Sequence, residues 1–153
     1  EGSGRTGRPA GAARLRPQSK VGGGQVDRET ILRRVMATSG MRDTEEADRA
    51  TRAVLVALTG ILSSDEAHDM ASQLPKEFKD VVYARLGEAG TAKPVNWGTF
   101  IGRVQSDLGL NREEAERVTR GVFAALRDAV SPGEIEDVLA ELPLELQHTL
   151  RGS

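Results

Sequence analysis

The octapeptide Glu45-Glu46-Ala47-Asp48-Arg49-Ala50-Thr51-Arg52 returns as Glu113-Glu114-Ala115-Glu116-Arg117-Val118-Thr119-Arg120, and this recurrence decides how the rest of the chain is read. Upstream, after a one-residue deletion, Arg34-Val35 and Gly40 match Arg103-Val104 and Gly109. Downstream, Ala57-Leu58 matches Ala125-Leu126, Ser63 and Glu66 match Ser131 and Glu134, and Leu74-Pro75 with Glu77 matches Leu142-Pro143 with Glu145. Identities cover roughly a third of the aligned positions, over a span of about fifty residues that is typical of helical repeat units. Residues 27–86 therefore read as one copy and 96–153 as a second. Residues 87–95, with Gly90 and Pro94, form a linker too short to hold the copies apart, so the two are expected to share one compact domain.

Each copy reads as four helices. Asp27 and Asn96 stand as N-caps whose side-chain oxygens satisfy free backbone N–H groups at the start of the first helix. Ile31, Leu32 and Val35, and in the second copy Phe100, Ile101, Val104 and Leu108, have the i, i+3, i+4 spacing of an apolar helix face. Gly40 and Gly109 end that helix at the position where φ is positive. The second helix is the longest, capped by Asp43 or Asn111 with Glu46 or Glu114 at N3 as a capping box. Its stripe is Ala47, Ala50, Val54, Leu58 and Ile61, with Ala115, Val118, Val122, Leu126 and Ala129 as counterparts. The opposite face predicts four acid-first ion pairs, Glu45–Arg49, Asp48–Arg52, Glu113–Arg117 and Glu116–Arg120, at roughly 0.2–0.5 kcal/mol each.

A third helix starts at Ser63 or Ser131, with Pro132 at N1, and buries Ala67, Met70, Ala71 and Leu74, or Ile135, Val138, Leu139 and Leu142. Pro75 and Pro143 break it. A fourth helix carries Phe78, Val81 and Val82, or Leu144, Leu146 and Leu150. No segment alternates with period two. The expected fold is all-α, a tandem duplication of a four-helix unit giving about eight helices packed pseudo-symmetrically.

Composition narrows the chemistry. The chain has 153 residues, 38% hydrophobic and 29% charged, with 3% aromatic residues, no cysteine and two histidines. A disulfide scaffold, a thiolate metal site and a cysteine nucleophile are thereby excluded, and no apolar run approaches a membrane span. The expectation is a cytoplasmic protein with no cofactor and no membrane partner. The net charge of −2 is unevenly spread. Residues 1–26 hold Arg5, Arg8, Arg14, Arg16 and Lys20 against Glu1 alone, so a tail of +4 is followed by a core of −6. Gly22-Gly23-Gly24, Pro9 and Pro17 leave that tail little apolar surface to offset the entropy of ordering, and it is expected to be disordered.

The run Arg103-Val104, Gly109-Leu110, Glu113 to Arg120 and Leu142-Pro143-Leu144-Glu145-Leu146, with its echo in the first copy, resembles the bacterial domain-of-unknown-function family 2267 over about residues 30–151. The resemblance implies a duplicated helical organisation. It carries no activity and no catalytic residues. The excess of arginine over lysine, 17 against 4, is similar to that of a high-GC actinobacterial chain.

Several constellations bear on chemistry. His68 and His148 align with Glu136 and Asp80, charged positions that mark both as solvent-facing rather than as shielded general bases. The pairs Glu45-Glu46 and Glu113-Glu114 are accounted for by capping and the helix dipole. Gly2-x-Gly4-x-x-Gly7 fits a dinucleotide fingerprint but lacks the flanking strand and helix that the motif needs. Arg5-Thr6-Gly7-Arg8-Pro9 resembles an AT-hook, in which an extended arm places arginine in the minor groove, although Thr6 replaces the usual basic residue. Arg5 and Arg8 are thus the candidate nucleic-acid contacts.

The repeated Arg49, Thr51, Arg52 and Arg117, Thr119, Arg120 sets offer Arg49, Arg52, Arg117 and Arg120 as candidate contacts for an anionic ligand or partner. The competing expectation is that each arginine pairs with its own i−4 acid. Trp97, placed where the first copy has Arg28, is expected to close the seam between copies. The leading functional expectation is a non-enzymatic binding or scaffold module presenting its acidic core to a protein partner. The alternatives are a nucleic-acid-associated protein acting through its tail and an enzyme with a site between the copies.

Overall fold

The computed structural model describes residues 26–92 and 95–152; the Arg5 and Arg8 motif and nearly all of the basic tail lie outside the described residues. Among the described residues there is no strand, and eight α-helices follow in order. They are α1 (Arg28–Ser39), α2 (Thr44–Ile61), α3 (Ser64–Ala71), α4 (Lys76–Tyr83), α5 (Trp97–Leu108), α6 (Arg112–Ala129), α7 (Pro132–Leu139) and α8 (Leu144–Arg151). Each half contributes helices of 12, 18, 8 and 8 residues. The segment between the halves is not wholly irregular, since Leu86–Glu88 forms a 3-10 turn.

The caps follow from the residues at the boundaries. Asp27 accepts from Thr30 N–H and Asn96 from Thr99 N–H, both at 2.9 Å. Gly40 (φ 82°) and Gly109 (φ 68°) take the left-handed turn that ends α1 and α5. Ser63 and Ser131 cap α3 and α7. The capping box at Asn111 closes, with Glu114 accepting from Asn111 N–H at 3.0 Å. Its counterpart does not: Asp43 accepts from Glu45 N–H at 2.9 Å, one residue early, and Glu46 is left to solvent. The third helices end at Ala71 and Leu139, four residues before each proline, and Pro75 and Pro143 serve instead as the caps of α4 and α8.

One core joins the halves. The stripes Ala47, Ala50, Val54, Leu58, Ile61 and Ala115, Val118, Val122, Leu126, Ala129 are all buried, with α2 and α6 in contact. The small residues in these stripes let the long helices approach one another. α1 packs more extensively on α6 than on α2, and α5 packs on α2 as well as on α6, so each half lays its first helix on the other half's long helix.

Three expectations are corrected and one is narrowed. Leu144 is 66% exposed, because it occupies the first turn of α8 immediately after Pro143 and points away from the core. Thr51 and Thr119 are buried rather than part of a surface triplet, and Thr51 donates to Ala47 C=O at 2.7 Å. Trp97 is half-buried against the shared core, and its polar partners lie in the second half rather than across the seam. Its backbone N–H donates to Glu145 and its indole N–H to Glu116, both within the second half, and Arg120 lies over its ring at 5.5 Å.

Finally, only Asp48–Arg52 (2.7 Å) of the four expected i, i+4 pairs forms among the described residues. Glu116 instead pairs with Arg112 at 3.2 Å and accepts from the Trp97 indole. An exposed pair gains too little to hold two long side chains against such competitors.

Candidate functional site

Arg49 stands on α2 and Arg117 on α6, at corresponding places two residues before the buried threonines. The contact of α2 with α6 brings their N-terminal parts together, and a cleft of about 230 Å³ opens there. Arg49 and Glu46 line it from one side, Arg117 and Glu114 from the other. The left-handed turns at Gly40 and Gly109 deliver Met41 and Leu110 as its apolar lining. Neither Arg49 nor Arg117 has an ion-pair partner among the described residues, so both guanidinium groups keep their donors for solvent or a ligand. An arginine fork matches the two oxygens of a carboxylate or phosphate bidentately.

The remaining sequence candidates separate from this pair. Arg52 is held by Asp48 at 2.7 Å and lies 5.7 Å from the centre of the Phe78 ring. It borders a second, larger groove of about 360 Å³ between α2 and α5, and Arg49 borders both spaces. Arg120 goes to Trp97 and lines neither. The second groove adds Arg85 and Arg103, which sequence reasoning missed. Arg103 belongs to the repeated Arg-Val dipeptide, and that repetition was the available signal. Its counterpart Arg34 pairs with Asp128 at 3.0 Å, whereas the place corresponding to Asp128 in the first half is Gly60. Arg103 therefore turns to Asp107 at 3.5 Å and faces the groove.

A separate carboxylate cluster sits where α3 meets α7. One oxygen each of Glu66, Glu134 and Asp137 lie within 4.8 Å of one another, a spacing that would admit a cation. One oxygen of Glu66 and one of Glu134 are shielded from solvent without a hydrogen-bond partner that satisfies them geometrically. Burial, the adjoining Glu134 carboxyl, and the charges of Glu134, Asp137 and Glu141 push Glu66 up to about 9 from its ordinary 4.5. At neutral pH the pair is thus held together by a proton. Around it the halves exchange bonds: Ser63 N–H donates to Glu141 and Ser131 N–H to Gln73, both at 2.7 Å. Nothing in the sequence marks the two N3 glutamates as neighbours.

His68 is exposed, stacked on Tyr83 with ring centroids 4.9 Å apart, and His148 is also exposed. Neither has the shielded surroundings that tune a general base.

Fold and site together define an all-helical protein, with eight α-helices among the described residues and an arginine-lined cleft where the long helices meet. Residues 28–149 match the family described as Uncharacterized conserved protein (DUF2267), and the chain belongs to that family. No curated protein matches its sequence. Among the described residues, no helix is long and apolar enough to cross a membrane.

Proposed function

We propose that the chain is a non-enzymatic binding module, a tandem duplication of a bacterial four-helix unit acting in the cytoplasm, that contacts a protein partner through the α2–α6 cleft. The observation that carries this reading is the pair of unpartnered arginines, Arg49 and Arg117, at corresponding positions on opposite walls of one cleft. Duplication accounts for the matched helix lengths and for the reciprocal bonds of Ser63 with Glu141 and Ser131 with Gln73. Arginine is also the charged residue most used at protein interfaces, because its flat, weakly hydrated head is cheap to desolvate.

The test is affinity capture from the source cell with the full chain as bait, alongside the Arg49→Gln/Arg117→Gln variant. A specific protein retained by the first bait and lost with the second supports the reading. Equal capture by both baits sinks it. The tail reading, resting on Arg5 and Arg8, is tested separately by gel shifts with and without residues 1–26 at several salt concentrations. Phosphate contacts there would make binding steeply salt-dependent.

A further inference from the structure

The α2–α6 cleft and the α2–α5 groove share Arg49 and Leu108 in their linings, so the two spaces adjoin as a channel of two compartments. Its lining holds Arg117, Arg49, Arg52, Arg103 and Arg85, on a core whose side chains, these five included, sum to −6. Resting on the binding-module reading, we propose that this channel takes an extended acidic peptide segment of the partner, its carboxylates seated on Arg117, Arg49 and Arg103.

Three features choose this ligand. First, the arginines are spread along the channel rather than gathered at one point, which suits side-chain carboxylates spaced along a chain. Second, the channel carries its own acids, Glu46, Glu114 and Asp107. With the acidic core behind them, these repel a densely charged phosphate backbone more strongly than single carboxylates separated by neutral residues. Third, Ala53, Val56, Leu108 and Leu110 supply an apolar lining against which the intervening peptide side chains lose water.

Arg49 is central, since it borders both spaces and has no ion pair to give up. Arg52 and Arg85 are already held, by Asp48 at 2.7 Å and by Glu88 at 3.1 Å, and contribute field rather than direct forks. Arg103 is held more loosely, at 3.5 Å from Asp107, and is free to exchange that partner for a ligand.

The experiment is fluorescence anisotropy of a labelled ten-residue peptide alternating Glu and Ser, titrated with the full chain. Its Gln/Ser counterpart and a single-stranded DNA ten-mer serve as comparators. The Glu peptide is expected to bind and the Gln peptide not to. Arg49→Glu and Arg103→Glu each weaken binding tenfold or more, Arg49→Gln by less, and Arg33→Glu, on α1 outside the channel, by less than twofold. Circular dichroism melts confirm that each variant folds.

Unchanged binding by Arg49→Glu overturns the proposal, because the basic tail would then be holding the peptide. Tighter, Arg49-dependent binding of the DNA overturns it in favour of a nucleic-acid ligand. Loss of partner capture in the Arg49→Gln/Arg117→Gln variant without Glu-peptide binding refutes the acidic peptide while leaving the binding module standing. If neither capture nor peptide binding depends on these arginines, both readings fall.

Discussion

Two helix crossings occupy corresponding places in the halves and pack differently. Where α1 lies on α6, the long helix carries Gly121; a Cβ there would stand 3.1 Å from Val35 O and 3.1 Å from Ser39 Cβ. The helices touch through backbone. Where α5 lies on α2, the corresponding residue is Ala53, the contact is less extensive, and a groove remains with Ala53 in its lining. The second difference reinforces the first. Asp128 near the end of α6 ties down Arg34, while Gly60 near the end of α2 leaves Arg103 without that partner. One half thus closes a seam that the other leaves open, and the open one carries the arginines.

The largest expected effect lies at the closed crossing. Gly121→Val places branched carbons against the α1 backbone and is expected to cost roughly 1–3 kcal/mol in urea unfolding. A variant as stable as the parent would show that α1 shifts without penalty, and the contrast between crossings would lose its cause.

At the α3–α7 junction the halves behave alike, and the expected readout is pH dependence. Folded Glu66 keeps its proton up to about pH 9, whereas the unfolded carboxyl releases it near 4.5. The folded state therefore binds more protons across that window, and stability falls as pH rises from about 4.5 to about 9. Glu66→Gln removes this contribution, so its urea midpoint should match the parent near pH 4 and exceed it increasingly towards pH 9. A pH-independent difference would mean that the two carboxyls do not share a proton.

The buried threonines give opposite signs from corresponding positions. Thr51 donates to Ala47 C=O, so Thr51→Val should lose roughly 0.5–1.5 kcal/mol. The Thr119 hydroxyl is buried without a partner, so Thr119→Val should be neutral or stabilising. Thermal melts of both variants, if they moved together, would erase this difference between the long helices.

The smallest effect belongs to Arg34–Asp128. Both side chains are about half exposed, and Asp128→Asn should cost roughly 0.2–1 kcal/mol, shrinking as salt is added. A larger, salt-insensitive loss would make that pair, rather than Gly121, the closure of the seam.

Much of the fold was legible along the chain, because caps and stripes are local. Asp27, Asn96, Gly40, Gly109, Ser63 and Ser131 act within a few residues of themselves, and their positions end or begin helices wherever those helices pack. The candidate site was half legible. The recurrence singled out Arg49 and Arg117 but expected acids at i−4 to occupy them, and it grouped with them Arg120, which Trp97 takes.

The sequence by itself determined an all-helical fold, most of its helix caps and most of its apolar faces, since propensity, capping and periodicity act over a turn or two. Only the tertiary structure decided which arginines share a channel and which glutamates share a proton. Those outcomes depend on α1 crossing to α6, α5 to α2 and α3 meeting α7, contacts between residues far apart along the chain. Exposed ion pairs differ by tenths of a kcal/mol, so the neighbours that packing supplies choose among them.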